Sequence, residues 1–383
     1  MGVLYVADTL DAPSHQWMRR MLIGLGSDVA LVATNSRPRS LGAHRFPIRV
    51  ISPPPLVLRA ANRLGLLRRS PWEHYESDVM RRLVARRDVT SVLVHYLTAA
   101  LPCAEAWASC DKPVFVHCHG YDVTWNLCGY NGAPVHPSDY VQRVLALRGN
   151  VRFIANSFRT KARLQQIGIA EERIFVKYLG VSVPECPRAH SSRDECTFLY
   201  VGRLVDLKGP DLVIQAFDLA CRRGLRGRLV MAGDGPLRPA CELLRARSAY
   251  RERITLLGAA DAEAVETLLG QADVFTAHNC TGPFTNQEEA FGVSVVEAMA
   301  AGLPIVSGRS GSLPEIVEDE VQGILVEPGD VDAHAEAFLR LAASPETRNR
   351  MGQNGWQRAG KMFTIEQEIA KLRRILSLQE RAL

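Results

Sequence analysis

The sequence predicts an α/β protein built from two doubly wound parallel sheets. Short apolar runs rich in Val, Ile and Leu alternate with helical patterns, which is typical of a parallel sheet covered by helices on both faces. This alternation occurs twice, on either side of a stretch containing Pro and Ser at residues 184–192. The chain has 383 residues, 47% of them hydrophobic, which is enough to bury two cores of ordinary domain size.

The first series of runs indicates a Rossmann-like domain over residues 1–185. Each apolar run is followed by a stretch with helical spacing, so consecutive strands are expected to lie parallel. The predicted strands are 3–7, 29–34, 91–97, 113–117, 153–156 and 174–179. The predicted helices are 15–25, 75–86, 99–109, 140–147 and 159–167.

The second series indicates another Rossmann-like domain over residues 186–363, entered through a linker at the prolines and serines of 184–192. In open parallel sheets, ligands bind beyond the carboxyl ends of the strands, so we expect a site where the two domains face each other. The predicted strands are 197–201, 228–232, 254–257, 274–277, 304–306 and 323–326. The predicted helices are 211–223, 237–247, 262–269, 293–301 and 331–343.

The tail over residues 364–383 keeps helical spacing of its apolar side chains, including Ile365, Ile369 and Leu372. Two interpretations of this helix are open. It crosses back to the first domain, or it packs only on the second.

Charge is distributed unevenly along the chain. Residues 1–185 carry 23 Lys and Arg against 14 Asp and Glu, which leaves 23 against 27 in the remainder. Two interpretations of the basic half are open: a surface that meets anionic lipid or a phosphorylated acceptor, and a solvated helix face in an Arg-rich protein. Much of the excess comes from Arg59, Arg63, Arg68, Arg69, Arg81, Arg82, Arg86 and Arg87.

The cysteines and the chain start bear on location. Nine cysteines form no C-x-x-C pair, and the first residues lack the basic segment of a signal peptide. We therefore expect reduced thiols in a cytoplasmic protein, with at most peripheral contact with the inner face of a membrane. No run of about 18 apolar residues predicts a spanning helix. His117-Cys118-His119 offers metal-ligand residue types, but a strand end with Cys118 turned inward is favoured, and no metal site is expected.

Glu289 and Glu297 are eight positions apart, with Phe291-Gly292 between them at a predicted helix start. Free N–H groups and the positive end of a helix dipole would therefore lie between two carboxylates. Phosphate oxygens need such donors, whereas sugar hydroxyls bind carboxylates, so a sugar phosphate would suit this site. The alternative is an ordinary amphipathic helix with a solvated Glu at each end.

The loop over residues 202–209 carries two cations between a predicted strand and a predicted helix. Arg203 and Lys208 are placed to clamp a diphosphate, and the glycines Gly202 and Gly209 permit tight turns on either side. The loop matches neither the Walker pattern nor G-x-G-x-x-G. A nucleotide triphosphatase and a dehydrogenase are therefore both disfavoured.

These segments form part of an ordered series that extends over nearly the whole chain. Its members are His119-Gly120-Tyr121-Asp122, Gly180-Val181, residues 200–203, Lys208-Gly209, residues 232–236, Leu257-Gly258, the Glu289 and Glu297 pair, and residues 302–306 and 323–326. The series resembles the retaining glycosyltransferases of family 4, bacterial polysaccharide-biosynthesis members among them, and it implies the GT-B architecture. Ser182 departs from the Gly-Val-Asp that the family often carries before the linker.

The resemblance implies a role for each matching residue. Arg203 and Lys208 would neutralise the donor pyrophosphate, Glu289 would face the donor sugar, and His119 would lie against sugar and phosphate. Glu297 would hold the ribose hydroxyls, and the first domain would bind the acceptor. Asp122 would orient His119 or cap the next helix, and both interpretations stay open. Further contacts with the nucleotide sugar are expected from Gly202, Gly258, Ala259, Phe291, Gly292, Val293 and Ser294.

The implied activity is retaining transfer of a hexosyl unit from a UDP- or GDP-linked sugar to a glycan, lipid-linked or small-molecule acceptor. Neither a cofactor nor a nucleic-acid partner is expected. Asp330-Val331-Asp332 is the one Asp-x-Asp in the sequence, and it is interpreted as a helix start rather than a magnesium site. The alternatives are another GT-B enzyme, such as an epimerase, and a silent scaffold that binds sugar nucleotides.

Overall fold

The computed structural model describes residues 2–11, 16–38, 41, 45–51, 71–187 and 195–377. Within these ranges the chain forms two compact units. Unit 1 contains the described residues of 1–125, 137–178 and 365–383, and unit 2 contains those of 126–136 and 179–364. The segment 126–136 therefore leaves the first half of the sequence to join unit 2.

Unit 1 is built on a parallel sheet of seven strands in the order β3-β2-β1-β4-β5-β6-β7. Its helices in chain order run α1 to α6, and a C-terminal helix, α14, completes the unit. The strands are β1 Gly2–Ala7, β2 Val29–Thr34, β3 Ile48–Val50, β4 Val89–His95, β5 Val114–Cys118, β6 Val151–Ala155 and β7 Ile174–Val176. The helices are α1 Gln16–Leu25, α2 Pro71–Val84, α3 Leu97–Ala100, α4 Ala104–Ala108, α5 Tyr140–Leu145, α6 Phe158–Gln166 and α14 Ile365–Ile375.

Unit 2 is built on a parallel sheet of six strands in the order β10-β9-β8-β11-β12-β13. The strands are β8 Cys196–Val201, β9 Gly227–Ala232, β10 Ile254–Gly258, β11 Val274–Thr276, β12 Ile305–Gly308 and β13 Gly323–Val326. The helices are α7 Pro210–Arg222, α8 Arg238–Arg247, α9 Ala262–Gln271, α10 Val293–Ala300, α11 Leu313–Ile316, α12 Val331–Ala343 and α13 Pro345–Met362.

The two sheets confirm the predicted α/β class. The central strands are buried along their length, as in β1, where all six residues are buried. Such strands need apolar residues on both faces, which is why they appear in the sequence as unbroken apolar runs rather than alternating ones. All ladder pairs between the named strands are parallel, so the carboxyl ends of each sheet gather at one edge.

Helix caps account for several element starts. Asp261, Asp330 and Ser344 each accept a hydrogen bond from the backbone N–H three residues later, which satisfies a donor that the first turn leaves open. The expected role of Asp330 as a helix cap is thus confirmed. Asp332, its neighbour in the Asp-x-Asp pattern, pairs with Arg223.

The C-terminal helix α14 packs against α1 within unit 1. A Cβ at Gly24 would approach the Cγ1 of Ile369 to 2.6 Å, so only a glycine lets the two helices come this close. Arg373 on α14 donates to the Asp28 carboxylate at 2.8 Å. Glu368 on the same helix forms a buried ion pair with Lys177.

The basic segment of the first half is only partly described. Arg59, Arg63, Arg68 and Arg69 lie outside the described residues. Arg81 near the end of α2 pairs with Asp78, and Arg86 pairs with Asp88. Among the described helices, none combines the length and apolar character that crossing a membrane requires.

Candidate active site

Lys208 and Glu289 form the ion pair around which the candidate site of unit 2 is built. The Nζ of Lys208 lies 2.5 Å from the Oε2 of Glu289, and the two side chains are 14% and 13% exposed. The aliphatic stem of Lys208 packs against Gly202, where a Cβ would lie 3.1 Å from the Cδ of the lysine. The pair is thus held by packing and still reaches solvent, where a ligand can approach it.

Backbone pairing between two loops brings the pair together across the sequence. After β11 the chain runs along the 207–208 loop, with the N–H of His278 donating to the carbonyl of Lys208 and that of Cys280 to the carbonyl of Leu207. At Gly209 a Cβ would lie 2.4 Å from the His278 carbonyl oxygen, and the backbone has φ of +53°. A glycine is therefore needed for this approach.

The electrostatics of Glu289 favour the ionised carboxylate. Burial alone would raise its pKa, but the Lys208 ammonium, the Arg203 guanidinium and the backbone N–H of Phe291 together hold the pKa below its ordinary value. Glu289 is therefore negative at neutral pH. The arrangement is one carboxylate between two cations, with net positive charge left over for an anionic ligand.

Asn279 is a site residue that the sequence reasoning missed. Its Nδ2 donates to the Oε2 of Glu289 at 3.2 Å, and its Oδ1 accepts from the Ser307 hydroxyl at 3.1 Å. Asn279 is fully buried, so its amide orientation is fixed by these two bonds. Its place three residues after the end of the buried strand β11 was the signal that could have found it.

Asp206 is a second missed residue, and it ties three segments together. Its carboxylate accepts the backbone N–H groups of Phe284 and Thr285, at 3.0 and 2.9 Å, and the Tyr130 hydroxyl at 3.1 Å. Asp206 is 3% exposed and lies between Arg203 and Lys208 in sequence. It therefore anchors the loop with both cations to the 284–285 loop and to the 126–136 segment.

The start of α10 presents unused backbone donors beside this pair. Gly292 is its N-cap residue with φ of 88°, a left-handed conformation that favours glycine. Within the described residues, no hydrogen bond uses the N–H groups of Gly292, Val293 or Ser294. By contrast, the Phe291 N–H is directed at Glu289, and the Phe291 ring is buried against Phe363.

Glu297 is partly buried one turn further along α10. The residues expected to contact the nucleotide base, Gly258 and Ala259, lie at the end of the edge strand β10. Gly258 ends this strand with φ of 79°, and Ala259 is exposed. The carbonyl of Gly258 accepts the N–H of Gly233, and a Cβ at Gly233 would lie 1.8 Å from the Gly202 carbonyl oxygen. Gly233 therefore passes too close to the end of β8 to carry a side chain.

In unit 1, His119 follows β5 and is partly buried. Asp122 fixes the backbone around it: one carboxylate oxygen accepts the N–H groups of His119 and Gly120 at 2.9 and 3.0 Å. The other accepts the N–H of Leu97, the first residue of α3, at 3.0 Å. Asp122 thus supports the histidine loop and starts a helix that precedes it in sequence, and burial raises the pKa of Asp122 to about 6.

Two family models together match most of the chain. The family described as Glycosyltransferase Family 4 matches residues 18–184, and the one described as Glycosyl transferases group 1 matches residues 185–358. The first model lies in the sequence half with His119, and the second in the half with Lys208 and Glu289.

Individual relatives show similarity over different lengths. An alpha-D-kanosaminyltransferase of Streptomyces kanamyceticus is 31% identical over 161 residues, 42% of this chain and 40% of its own length. A GDP-mannose-dependent alpha-(1-6)-phosphatidylinositol monomannoside mannosyltransferase of Mycobacterium tuberculosis is 27% identical over 72% of each chain. This chain therefore spans less than half of the first relative.

Among solved structures, Anabaena HepE in complex with UDP and glucose superposes with a TM-score of 0.76 at 19% identity. The superposition covers 98% of this chain and 99% of HepE. At that identity the likeness concerns the fold, which is that of the GT-B glycosyltransferases.

Proposed function

The chain belongs to the glycosyltransferases that combine the family 4 and group 1 domains, and from that premise we propose that it transfers a hexosyl unit from a UDP- or GDP-linked sugar. The acceptor in this proposal is a glycan, a lipid-linked sugar or a small molecule, and the anomeric configuration is retained. The names of two similar proteins support this donor class, one including GDP-mannose and the other UDP with glucose.

The Lys208–Glu289 pair beside the start of α10 is the observation that carries the proposal. The two cations Arg203 and Lys208 exceed the charge of Glu289 by one. The free N–H groups of residues 292–294 add positive potential beside them, which also favours an anion. A diphosphate would take the place of the carboxylate as the partner of Lys208 or share the lysine with it. Charge-assisted bonds of this kind contribute about 1.5–3 kcal/mol each.

Catalysis would rest on positive charge and positioning. As the bond between the anomeric carbon and the phosphate oxygen breaks, negative charge grows on the leaving diphosphate, and Arg203 and Lys208 stabilise it. The acceptor hydroxyl attacks the face of the sugar from which the diphosphate leaves, and its proton passes to the leaving phosphate oxygen. The two side chains supply the charge that a metal ion supplies in other transferases, so the proposed reaction needs no metal cofactor.

The remaining roles follow from the side-chain chemistry. Glu289, ionised and fixed by Asn279, would accept hydrogen bonds from hydroxyls of the donor sugar. Its ion pair with Lys208 disfavours a nucleophilic role, because a carboxylate bound to an ammonium is a weak nucleophile. Glu297 would accept the ribose hydroxyls, and His119 would contact the sugar and its phosphate.

Location and acceptor binding are also proposals. We place the protein in the cytoplasm, and the basic first half would bring it to an anionic membrane if the acceptor is lipid-linked. The name of the mycobacterial relative, which includes phosphatidylinositol monomannoside, supports a lipid-linked acceptor.

A silent scaffold that only binds sugar nucleotides is the alternative from another class. Binding without turnover would need the same pocket, so the two are distinguished by slow hydrolysis of the donor. We expect hydrolysis without acceptor, because water can replace the acceptor hydroxyl once the diphosphate is stabilised.

The experiment is a thermal-shift screen of UDP-, GDP- and ADP-sugars, followed by donor hydrolysis with the ligand that binds. At 100 times its dissociation constant a ligand adds about 2.7 kcal/mol of stability, enough to move the midpoint by several degrees. NMR of the first sugar released would then report the anomeric configuration. If no sugar nucleotide shifts the midpoint, the proposal fails, and a shift without hydrolysis or transfer would favour the scaffold.

A further inference from the structure

Three histidines of unit 1 meet at the carboxyl end of its sheet. His95 ends β4, His117 pairs with it in register on β5, and His119 follows β5. One ring nitrogen of each lies within 4.8 Å of those of the other two. The Nδ1 of His95 and the Nε2 of His119 are 3.3 Å apart. Three imidazole nitrogens around one tetrahedral Zn²⁺, at about 2.1 Å from it, lie roughly 3.4 Å from each other.

The ring positions agree with a shared ligand. The three ring centroids are separated by 4.1, 5.4 and 5.5 Å. Imidazoles that coordinate one tetrahedral ion place their centroids about 5 Å apart. Small rotations of the side chains, without movement of the strands, would therefore complete a three-histidine site.

His117 supplies a second, independent observation. Its side chain is 0% exposed, and neither ring nitrogen has a hydrogen-bond partner within the described part of the chain. A neutral imidazole carries one donor and one acceptor, and buried polar groups are almost always satisfied. An imidazole buried without partners indicates a bound species that would satisfy it.

The surroundings enclose the cluster without competing for its centre. The Trp17 ring lies 4.2 Å from His119, centroid to centroid, and the Tyr96 ring lies 4.6 Å from it. Tyr5 lies 4.7 Å from His95, but its hydroxyl donates to the Met18 carbonyl. The three imidazoles are therefore the coordinating groups, and the partly exposed His119 gives access from solvent.

We propose that His95, His117 and His119 bind one divalent transition-metal ion of the Zn²⁺ class, with a water or an anionic oxygen as its fourth ligand. Imidazole nitrogens suit Zn²⁺, Co²⁺ and Ni²⁺, whereas Mg²⁺ requires oxygen ligands. The nearby cation Lys177 forms an ion pair with Glu368. Its charge is therefore balanced, and the metal ion does not lie next to an unpaired positive charge. The site lies apart from Lys208 and Glu289 in sequence. His119 is also the residue proposed to contact the donor, so a metal ion bound there would compete with the donor for this side chain, and the binding test below does not depend on the proposed transfer activity.

The test is titration of the full chain, without a histidine tag and after removal of metals by a chelator, with Co²⁺ alone. Tetrahedral Co²⁺ bound by imidazoles absorbs visible light, and Zn²⁺ should displace it and abolish the bands. We expect one Co²⁺ per chain, with a dissociation constant in the micromolar range or tighter by calorimetry. Addition of Zn²⁺ should also raise the thermal midpoint, since the metal binds the folded state.

Two substitutions and a matched control assign the site. His117→Gln and His95→Gln should each weaken Co²⁺ binding at least tenfold, whereas His278→Gln should leave it unchanged. His278 is an equally buried histidine of unit 2, but its ring nitrogens are occupied by His334 and the Gly329 N–H. Circular dichroism identifies any variant that fails to fold, and a single folded variant suffices. No Co²⁺ bands at millimolar metal, or unchanged binding in a folded variant, would overturn the proposal.

Discussion

Two Lys–Glu ion pairs in this protein have the same chemistry and opposite environments. Lys208 and Glu289 in unit 2 are 14% and 13% exposed, and Arg203 adds a further positive charge. Lys177 and Glu368 in unit 1 are 0% and 2% exposed, and they join β7's carboxyl end to α14. Since the residue types are identical, the environment decides what each pair can do.

The difference shows in what each pair has left to offer a ligand. The Lys208 pair reaches solvent, lies beside free N–H groups of α10 and carries an excess cation, so an anion can bind there. The Lys177 pair is closed off by α14, and burial holds the pKa of Lys177 below its ordinary value despite the Glu368 carboxylate. We therefore interpret the first pair as part of a binding site and the second as a structural clamp.

Glu368→Ala should produce the largest effect, and the effect should be on stability. It leaves an ammonium buried without a partner, which costs about 3–5 kcal/mol of unfolding free energy. Replacing both partners, as Lys177→Met with Glu368→Leu, should recover most of that loss. Urea unfolding of the three proteins measures it, and the turnover of the folded fraction should stay at the wild-type value. A single variant as stable as wild type would remove the clamp interpretation.

Lys208→Ala should change turnover more than stability, because Glu289 keeps the Arg203 charge and the bond from Asn279 when the lysine is lost. Loss of one charge-assisted bond to the diphosphate is expected to lower turnover by about one to two decades, and Arg203→Ala by a similar amount. Donor hydrolysis and transfer rates measure the effect, with urea unfolding as the stability readout. Lys161→Ala is the matched control, because Lys161 pairs with Glu171 at 2.6 Å on the surface. Equal turnover in the Lys208, Arg203 and Lys161 variants would contradict the assignment of the pyrophosphate site.

Much of the fold could be predicted because buried parallel strands appear in the sequence as continuous apolar runs. The bounds of β2, β13 and α12 agree with the prediction at both ends. The sequence pattern does not predict the helix α13, because its three glycines and its polar composition are not typical of a helix. In the structure Gly355 faces Met299 of α10: a Cβ there would lie 3.5 Å from the Met299 Cα, in ordinary van der Waals contact, so the contact between α13 and α10 accepts a small side chain at this position.

The residues of the candidate site likewise fall into two groups, those that the sequence predicts and those that only the structure reveals. Arg203, Lys208 and Glu289 stand in recognisable motifs, and the structure brings Lys208 and Glu289 into contact. The position of Asn279 after a buried strand marks it as a candidate, but the roles of Asn279 and Asp206 could not be predicted from spacing, because they depend on which loops meet beyond the ends of β8 and β11. Only the three-dimensional path of those loops shows that one supports Glu289 and the other joins three segments.

Glu289→Gln should give the smallest effect and sharpen the comparison through pH. The folded-state pKa of Glu289 lies below its ordinary value, so its ionisation stabilises the fold fully above about pH 4.3, the unfolded value. That contribution is lost as the pH falls through the folded-state pKa, by at most about 1.4 kcal/mol per pH unit. The difference in unfolding free energy between wild type and Glu289→Gln should therefore be constant at higher pH and shrink on acidification. Urea unfolding between about pH 3.5 and 6 measures it. A difference that grows on acidification would mean that burial outweighs Lys208 and Arg203. The folded-state pKa of Glu289 would then lie above its ordinary value.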